Sequence, residues 1–174
     1  MRLDRAHKLG HKIPMSITIC QAEPRDAPLV FDFIRELAEY ERLAHEVDAT
    51  EADIAGALFG TQPRVFADIA EWSGEPAGFA LWFYNFSTFR GRHGIYLEDL
   101  YVRPAFRSKG IGKALLRHLA RRCVAEGLPR LEWWVLDWNE PALRFYRSIG
   151  AAPMDEWTVQ RVTGEPLLKL AEAS

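Results

Sequence analysis

Hydrophobic residues recur along the chain with two periods, one typical of strands and one typical of helices. Alternating segments predict β-strands at 17–22, 64–72, 77–86, 95–102 and 131–136. Apolar residues that return every three or four positions predict helices at 26–40, 50–60, 111–126 and 140–149. A last alternating segment around Trp157, Val159 and Val162 predicts another strand, followed by a short element at 167–170. This order predicts a mixed α/β fold in which a βαβα unit follows an antiparallel hairpin.

Cap and turn residues agree with these boundaries. Asp26 is a suitable N-cap for the first helix, and Thr50 with Asp53 resembles an acidic capping box for the second. The run Ser73-Gly74-Glu75-Pro76 predicts the hairpin turn, and a loop is expected at 87–94. Asn139, with Pro141 in the first turn, predicts the start of the fourth helix.

Length and composition limit the class of protein. The chain has 174 residues, of which 48% are hydrophobic, so residues 15–174 are expected to form one domain after a flexible N-terminal tail at 1–14. No apolar run approaches the roughly 20 residues of a membrane span, and no signal-peptide core is seen, so a cytoplasmic protein without membrane association is expected. Cys20 and Cys123 show no metal-ligand spacing and are expected to be reduced thiols.

The formal net charge of −2 conceals two charged segments. A basic segment without acidic residues contains Arg103, Arg107, Lys109, Lys113, Arg117, Arg121 and Arg122. An acidic segment interrupted only by Arg42 contains Glu36, Glu39, Glu41, Glu46, Asp48, Glu51 and Asp53. Single charges of this kind are usually solvated, but the blocks suit a phosphorylated ligand and a cationic substrate. Nucleic acid is disfavoured, because the pI is about 6.2 and the basic segment lacks interleaved aromatic residues.

The run from Arg107 to Lys113 lies where a predicted strand turns into a predicted helix. Its glycines let the main chain approach a ligand, and the first amides of a helix are unpaired, so a phosphate or pyrophosphate site is indicated. A P-loop does not fit, because Lys113 is followed by Ala114 instead of Ser or Thr. A dinucleotide fingerprint does not fit either, because position 115 is Leu.

Ionisable residues flank this turn on both sides. Glu98 and Asp99 are adjacent in the preceding strand, where alternation predicts that they lie on opposite faces. A carboxylate is a suitable base for an alkylammonium with a pKa of about 10.4, and Glu98 is the candidate. Taken alone, Glu98 would more often be an ion-pair partner, and Tyr146 a core aromatic.

The pattern Arg107, Gly110, Gly112 resembles the acetyl-CoA motif of the GNAT superfamily of N-acetyltransferases. Together with Tyr96-Leu97-Glu98-Asp99, Trp138-Asn139-Glu140-Pro141 and Phe145-Tyr146, it resembles the spermidine/spermine branch, which includes diamine and thialysine acetyltransferases. The resemblance extends over about 17–170. It implies a mostly antiparallel sheet of six or seven strands, with a parallel pair splayed at the acetyl-CoA site and about four flanking helices. It also implies a homodimer and no metal.

The same resemblance implies roles for individual residues. Tyr146 would protonate the departing thiolate, and Glu98 would deprotonate the amine through water. Acetyl-CoA would contact Leu100, Tyr101, Val102, Arg107, Ser108, Lys109, Gly110, Ile111, Gly112, Lys113, Asn139, Pro141 and Ala142. The acceptor amine would contact Tyr40, Glu41, Glu98, Asp99 and Trp157.

One departure from the branch concerns the acceptor. Polyamine enzymes carry a carboxylate closely followed by Trp before the Glu-Asp strand, whereas this chain has Ser87-Thr88-Phe89, as thialysine-type enzymes more nearly do. The expected function is acetyl transfer from acetyl-CoA to a primary amine of a small cationic acceptor, such as a diamine, a polyamine or a thialysine-like compound. Two alternatives stay open: a CoA-binding module without catalysis, and an acetyltransferase acting on a protein amine.

Overall fold

One mixed sheet organises the first part of the chain in the computed structural model, which describes residues 16–172. Its strands lie in sequence order: β1 pairs with β2, β2 with β3 and β3 with β4, all antiparallel, and β4 pairs with β5 in parallel. The strands are β1 Ile17–Gln21, β2 Phe66–Trp72, β3 Glu75–Ser87, β4 Arg92–Val102 and β5 Leu131–Trp133. The predicted mixed fold and its parallel pair are confirmed.

Three helices accompany these strands and two follow them. They are α1 Ala27–Glu41, α2 Glu51–Phe59, α3 Ile111–Glu126, α4 Glu140–Ser148 and α5 Gly164–Glu172. Packing divides the described residues into two compact units that adjoin in sequence at Trp134 and Val135, so α4 and α5 belong to the second unit. The predicted tail at 1–14 lies outside the described residues, and a single domain over 15–174 stays a prediction.

Both faces of the sheet are covered because its strands alternate in the way the sequence predicts. Phe79 and Ile69 pack on one face with Phe33 of α1, whose ring stacks on that of Phe79 at a centroid distance of 5.3 Å. The neighbouring positions Asp68 and Trp82 meet α3 on the other face. The predicted packing positions of α3 are buried, namely Leu115, Leu116, Leu119 and Cys123.

Two of the predicted local signals are confirmed and one is wrong. The Thr50 side chain accepts a hydrogen bond from the Asp53 amide, and the Asp53 carboxylate accepts one from the Thr50 amide, so the capping box forms. The turn of the β2–β3 hairpin occupies only Ser73 and Gly74, both with positive φ, as a two-residue turn requires. Asp26 does not cap α1 with its side chain, because its carboxylate accepts a hydrogen bond from the Glu23 amide instead.

The predicted number of six or seven strands is wrong, because the described residues form five. β5 ends at Trp133, and the segment around Trp157 forms no strand. Alternation alone does not make a strand, which also needs a hydrogen-bonding partner, and none pairs with this segment within residues 16–172. Its apolar residues stay exposed, with Trp157 at 71%, Val159 at 54% and Val162 at 47%. The predicted element at 167–170 lies within α5.

Candidate active site

The glycine turn joins β4 to α3 through a main chain that departs twice from ordinary geometry. After the 3₁₀ turn Pro104–Phe106, Ser108 and Gly110 have φ values of 62° and 81°, in the left-handed region. Gly110 is the N-cap residue of α3. Because glycine has no side chain, it cannot accept a hydrogen bond from the first amides of the helix. The first i to i−4 bond of the helix runs from Ala114 to Gly110, so the three preceding amides point out of the helix start. This is a suitable place for phosphate oxygens.

Gly110 and Gly112 are not equivalent, and this difference can be measured. A side chain at Gly110 would meet no atom within 4 Å, but its φ disfavours any L-residue, so we expect Gly110→Ala to lose about 1 kcal/mol of unfolding free energy. Gly112→Ala is the matched control, because a Cβ there would lie 3.9 Å from Val102, an ordinary contact. Urea unfolding should show the loss for Gly110→Ala alone. Equal losses would contradict this account of the turn.

The two cationic side chains at the start of the turn are engaged with the protein itself. Arg107 donates from Nε to the carbonyl of Val102 at 3.0 Å, and its guanidinium carbon lies 4.6 Å from the centre of the Tyr40 ring. Lys109 donates to the carbonyl of Ala105 at 3.0 Å. The predicted contacts of Arg107 and Lys109 with phosphate stay predictions.

The edge of β4 next to the turn is left open by its neighbour. β5 pairs with β4 only along 95–97, where Leu97 is opposite Trp133, while β4 continues to Val102. Leu100, Tyr101 and Val102 pair with β3 on their other side. This short stretch of strand edge, leading directly into the turn, suits an extended amide-bearing chain that would add its own hydrogen bonds.

A β-bulge interrupts β4 at Glu98. The register passes from Leu81 opposite Asp99 to Trp82 opposite Leu97, so Glu98 is the extra residue. Strict alternation therefore does not hold here, and the reasoning that placed Glu98 and Asp99 on opposite faces does not apply. Glu98 is exposed, whereas Asp99 is half-buried.

Two neighbouring carboxylates act on Asp99 beside this bulge. Burial, together with the negative charges of Glu98 and Glu41, raises the pKa of Asp99 to about 7, and burial is the largest of these causes. Burial also raises the pKa of Glu41, at the last position of α1. Helix α1 and strand β4 thus place Glu41 and Glu98 within electrostatic reach of Asp99, and the three carboxylates form one group. We name them the carboxylate triad. Their predicted contact with an acceptor amine stays a prediction.

The free energy of unfolding that is lost through the buried Asp99 carboxylate should depend on pH. Asp99 has a folded-state pKa above its ordinary value of 3.8, so it lowers stability increasingly as pH rises from about 4 to 7, and fully above 7. We expect Asp99→Asn to raise Tm at pH 8 by about 3–6 °C, and by less at pH 5. Thermal unfolding followed by circular dichroism at both pH values measures this. A variant that is less stable than the wild type at pH 8 would contradict the prediction.

Three of the acidic residues in the acidic segment have partners within the protein. Glu36 accepts three hydrogen bonds from Arg103, with an Nη2 to Oε1 distance of 2.8 Å, and Arg103 also lies over the Phe33 ring. Asp53 belongs to the capping box of α2, and Glu46 lies 3.3 Å from His45. Glu36, Glu46 and Asp53 are therefore engaged with the protein itself, whereas Glu41 is the residue of the acidic segment that belongs to the triad.

The remaining residues predicted for the site lie in the second unit. Asn139 is buried, and its side-chain oxygen accepts a hydrogen bond from the Ala142 amide at 3.4 Å, which confirms it as the cap of α4. Pro141 is in the first turn of the helix. Two turns on, the ring of Tyr146 lies 5.4 Å from that of Phe145. The roles of Asn139, Pro141, Ala142, Tyr146 and Trp157 in binding or catalysis stay predictions.

Sequence reasoning missed one buried carboxylate on the α3 face of the sheet. Asp68 is 1% exposed and accepts a hydrogen bond from the indole of Trp82 at 2.8 Å. Nε2 of His118 on α3 lies 3.5 Å from its other oxygen. An acidic residue flanked on both sides by apolar residues of β2 was the available signal. These contacts join α3, whose first turn forms the candidate phosphate site, to the middle of the sheet.

Neither a candidate metal centre nor a membrane-spanning helix is present within residues 16–172. No group of three or more His, Cys, Asp or Glu side chains there could hold a metal ion. None of the helices in this part of the chain has the length and apolar character to cross a membrane.

Comparison with known proteins identifies the family. Residues 28–151 match the model of the acetyltransferase (GNAT) family. The chain is 36% identical to the thialysine N-epsilon-acetyltransferase of Bos taurus, over 89% of this chain and 97% of that protein. It is 32% identical to the L-ornithine N5-acetyltransferase NATA1 of Arabidopsis thaliana, over 91% of this chain and 88% of that protein.

A solved structure agrees with these relatives. An integron cassette protein from V. cholerae is 32% identical and superposes with a TM-score of 0.76, over 91% of this chain and 99% of that one. The chain belongs to the GNAT family, and it is an N-acetyltransferase. The resemblance to the branch that includes thialysine acetyltransferases is confirmed.

Proposed function

We propose that this enzyme transfers the acetyl group of acetyl-CoA to a primary amine of a small cationic acceptor. The observation that carries the proposal is the carboxylate triad beside the open edge of β4, where Asp99 has a pKa of about 7. A cluster of three carboxylates favours a cationic partner, and a carboxylate that titrates near neutral pH can also accept its proton.

The donor would lie along the edge of β4 and end in the glycine turn. The pantetheine amides would pair with the main chain at Leu100–Val102, and the pyrophosphate would receive amides from the turn 108–113. The open strand edge and the uncapped start of α3 fit these two parts of the molecule. Asn139, Pro141 and Ala142 of α4 are proposed as further contacts of the donor.

The chemistry needs a base before the transfer and an acid after it. The acceptor ammonium gives one proton to the triad, and its nitrogen then forms a bond to the thioester carbonyl carbon. The carbon–sulfur bond breaks with its electron pair remaining on sulfur, and the Tyr146 hydroxyl donates a proton to that thiolate. The nitrogen loses its second proton as the amide forms, and a proton taken up through solvent restores the Tyr146 hydroxyl. Strand amides near Tyr101 would steady the negative charge that develops on the carbonyl oxygen.

Two residues of the triad are candidates for the base. Glu98 is exposed at the bulge and would act through water, as the family resemblance implies. Asp99 has the pKa better matched to neutral pH, which is the property that general-base catalysis favours. We propose that Glu98 meets the reacting amine and that Asp99 takes up the proton, with Glu41 and Tyr40 holding the rest of the acceptor. Trp157 is proposed as a further acceptor contact.

We infer that the acceptor is short and carries at least two amino groups. The relatives named for thialysine and ornithine act on compounds of this size, and Ser87-Thr88-Phe89 lacks the carboxylate and Trp of the polyamine enzymes. A homodimer is proposed from the family resemblance, and the cytoplasmic location expected from the sequence stays a proposal. Sedimentation that shows only monomer would refute the dimer.

A turnover screen tests the proposed function. Wild-type enzyme and acetyl-CoA are mixed with thialysine, ornithine, putrescine, spermidine or a lysine-containing peptide, and free thiol is followed. We expect the highest kcat/KM for a diamine or diamino acid. Turnover confined to the peptide would indicate a protein acetyltransferase, and acetyl-CoA binding without turnover on any amine would indicate a binding module.

A further inference from the structure

Arg107 connects two parts of the enzyme that the family motif treats separately. The motif assigns this arginine to the phosphates of the donor, yet its guanidinium carbon lies 4.6 Å from the centre of the Tyr40 ring and 5.8 Å from that of Tyr101. Its Nε donates to the carbonyl of Val102 at 3.0 Å. Tyr40 precedes Glu41 of the triad, and Val102 ends the strand that leads into the turn.

These contacts are specific to arginine. A planar guanidinium can stack on an aromatic ring and still direct Nε–H along its edge toward a carbonyl, whereas an ammonium has no such geometry. The ring of Tyr101 is fixed from the other side, because it belongs to the apolar cluster that contains Phe33. Arg107 therefore holds the end of α1 against a rigid part of β4.

Tyr40 depends on this contact more than a core residue would. It lies at the end of α1, one position before the last helical residue, and 37% of it is exposed. α1 then stops at Arg42, which has a left-handed main chain with φ of 62°. The orientation of the Tyr40 ring and the position of the neighbouring Glu41 are therefore sensitive to what lies over the ring.

We propose that Arg107 is a positioning residue that couples the donor site to the acceptor site by holding Tyr40. The Arg107 side chain also borders the phosphate turn. When a bound donor fixes the position of Arg107, Tyr40 and the neighbouring Glu41 are therefore fixed as well. Coupling between two ligands is reciprocal, so loss of the Tyr40 ring must weaken donor binding as well. The inference rests on the proposed function for the location of the two sites.

Calorimetry with acetyl-CoA and no amine tests this coupling without turnover. We expect Tyr40→Leu to raise the acetyl-CoA Kd about fivefold, and Tyr40→Phe, which keeps the ring, to change it less than twofold. Arg107→Met should raise Kd by more, since it also loses phosphate contacts, and adding Tyr40→Leu to Arg107→Met should cost nothing further. An unchanged Kd in Tyr40→Leu, or fully additive losses, would overturn the proposal.

A truncated donor separates positioning from phosphate binding. Acetyl-pantetheine has no phosphate, so an arginine that only binds phosphate is irrelevant to it. With this donor we expect Arg107→Met and Tyr40→Leu each to raise the KM for the amine about fivefold, and Tyr40→Phe to behave as wild type. A KM for the amine in Arg107→Met equal to that of the wild type, with acetyl-pantetheine as donor, would overturn the proposal. Wild-type enzyme that binds acetyl-CoA but acetylates no amine would refute the proposed function, while the calorimetric coupling would still be measured.

Discussion

Replacing Tyr146 by phenylalanine should lower kcat by about 10²–10³-fold with every amine that the enzyme accepts. The substitution removes only the hydroxyl, so the thiolate would leave without a positioned proton donor while the ring stays beside Phe145. Binding of acetyl-CoA should change less than twofold, because the hydroxyl acts in the chemical step. Steady-state kinetics with a saturating amine, and calorimetry with acetyl-CoA, separate the two effects.

Tyr84→Phe is the matched control for this prediction. The Tyr84 hydroxyl donates to Glu126 at 2.7 Å in the first unit and has no proposed role in transfer, so its loss should leave kcat within about twofold of wild type. An undiminished kcat in Tyr146→Phe would contradict the assignment of Tyr146 as the general acid. Equal losses in both tyrosine variants would point to a general effect on the fold.

The second large effect concerns the pH dependence of the enzyme. A base must be ionised to accept a proton, so kcat/KM should fall as pH decreases through about 7, the pKa to which burial and neighbouring charge raise Asp99. Asp99→Asn should remove this step and lower kcat/KM at pH 8 by about 10²-fold. Glu98→Gln should lower the rate as well, and it should move the remaining step to lower pH, because one of the charges that raise the Asp99 pKa is gone.

Pairing these two variants identifies the residue that titrates. If Glu98 alone were the base, Asp99→Asn would keep a pH step and Glu98→Gln would lose it. A step that stays near pH 7 in both variants would contradict the role of the triad and assign the titration to another group. The measurement is kcat/KM for one amine between pH 5.5 and 9, a range spanning the expected pKa by about 1.5 units on the acid side.

The sequence predicted local structure well where the signals for an element lie within the element itself. The α3 helix was predicted within its observed bounds, because its apolar period and flanking glycines at 110 and 127 are local signals. The segment around Trp157 has an alternating pattern of the same quality, yet it forms no strand. Alternation describes which side chains share a face, whereas strand formation depends on a partner that periodicity does not reveal.

The candidate site was predictable to the extent that it is made by contiguous residues. The glycine turn follows from residue types between a strand and a helix, and the structure gives Gly110 the left-handed main chain that only glycine adopts readily. The contacts of the basic residues were not predictable. Arg103 pairs with Glu36, which lies 67 positions earlier, and Arg107 stacks on Tyr40, so both arginines hold α1 to β4.

The raised pKa of Asp99 was not predictable from the sequence. Two adjacent carboxylates in a strand look equivalent, and strict alternation separates them by face. The bulge at Glu98 interrupts that alternation, and the end of α1 brings Glu41 near the more buried of the two. A pKa depends on burial and on charges distant in sequence, and both arise only on folding.

Product analysis with the best amine tests the central claim most directly. Enzyme, acetyl-CoA and the amine are incubated, free thiol is titrated, and the acceptor is examined by mass spectrometry. The proposed function predicts one acetyl group on one primary amine of the acceptor for each thiol released. Thiol released without an acetylated small amine would contradict it, because the carboxylate triad would then serve some other reaction.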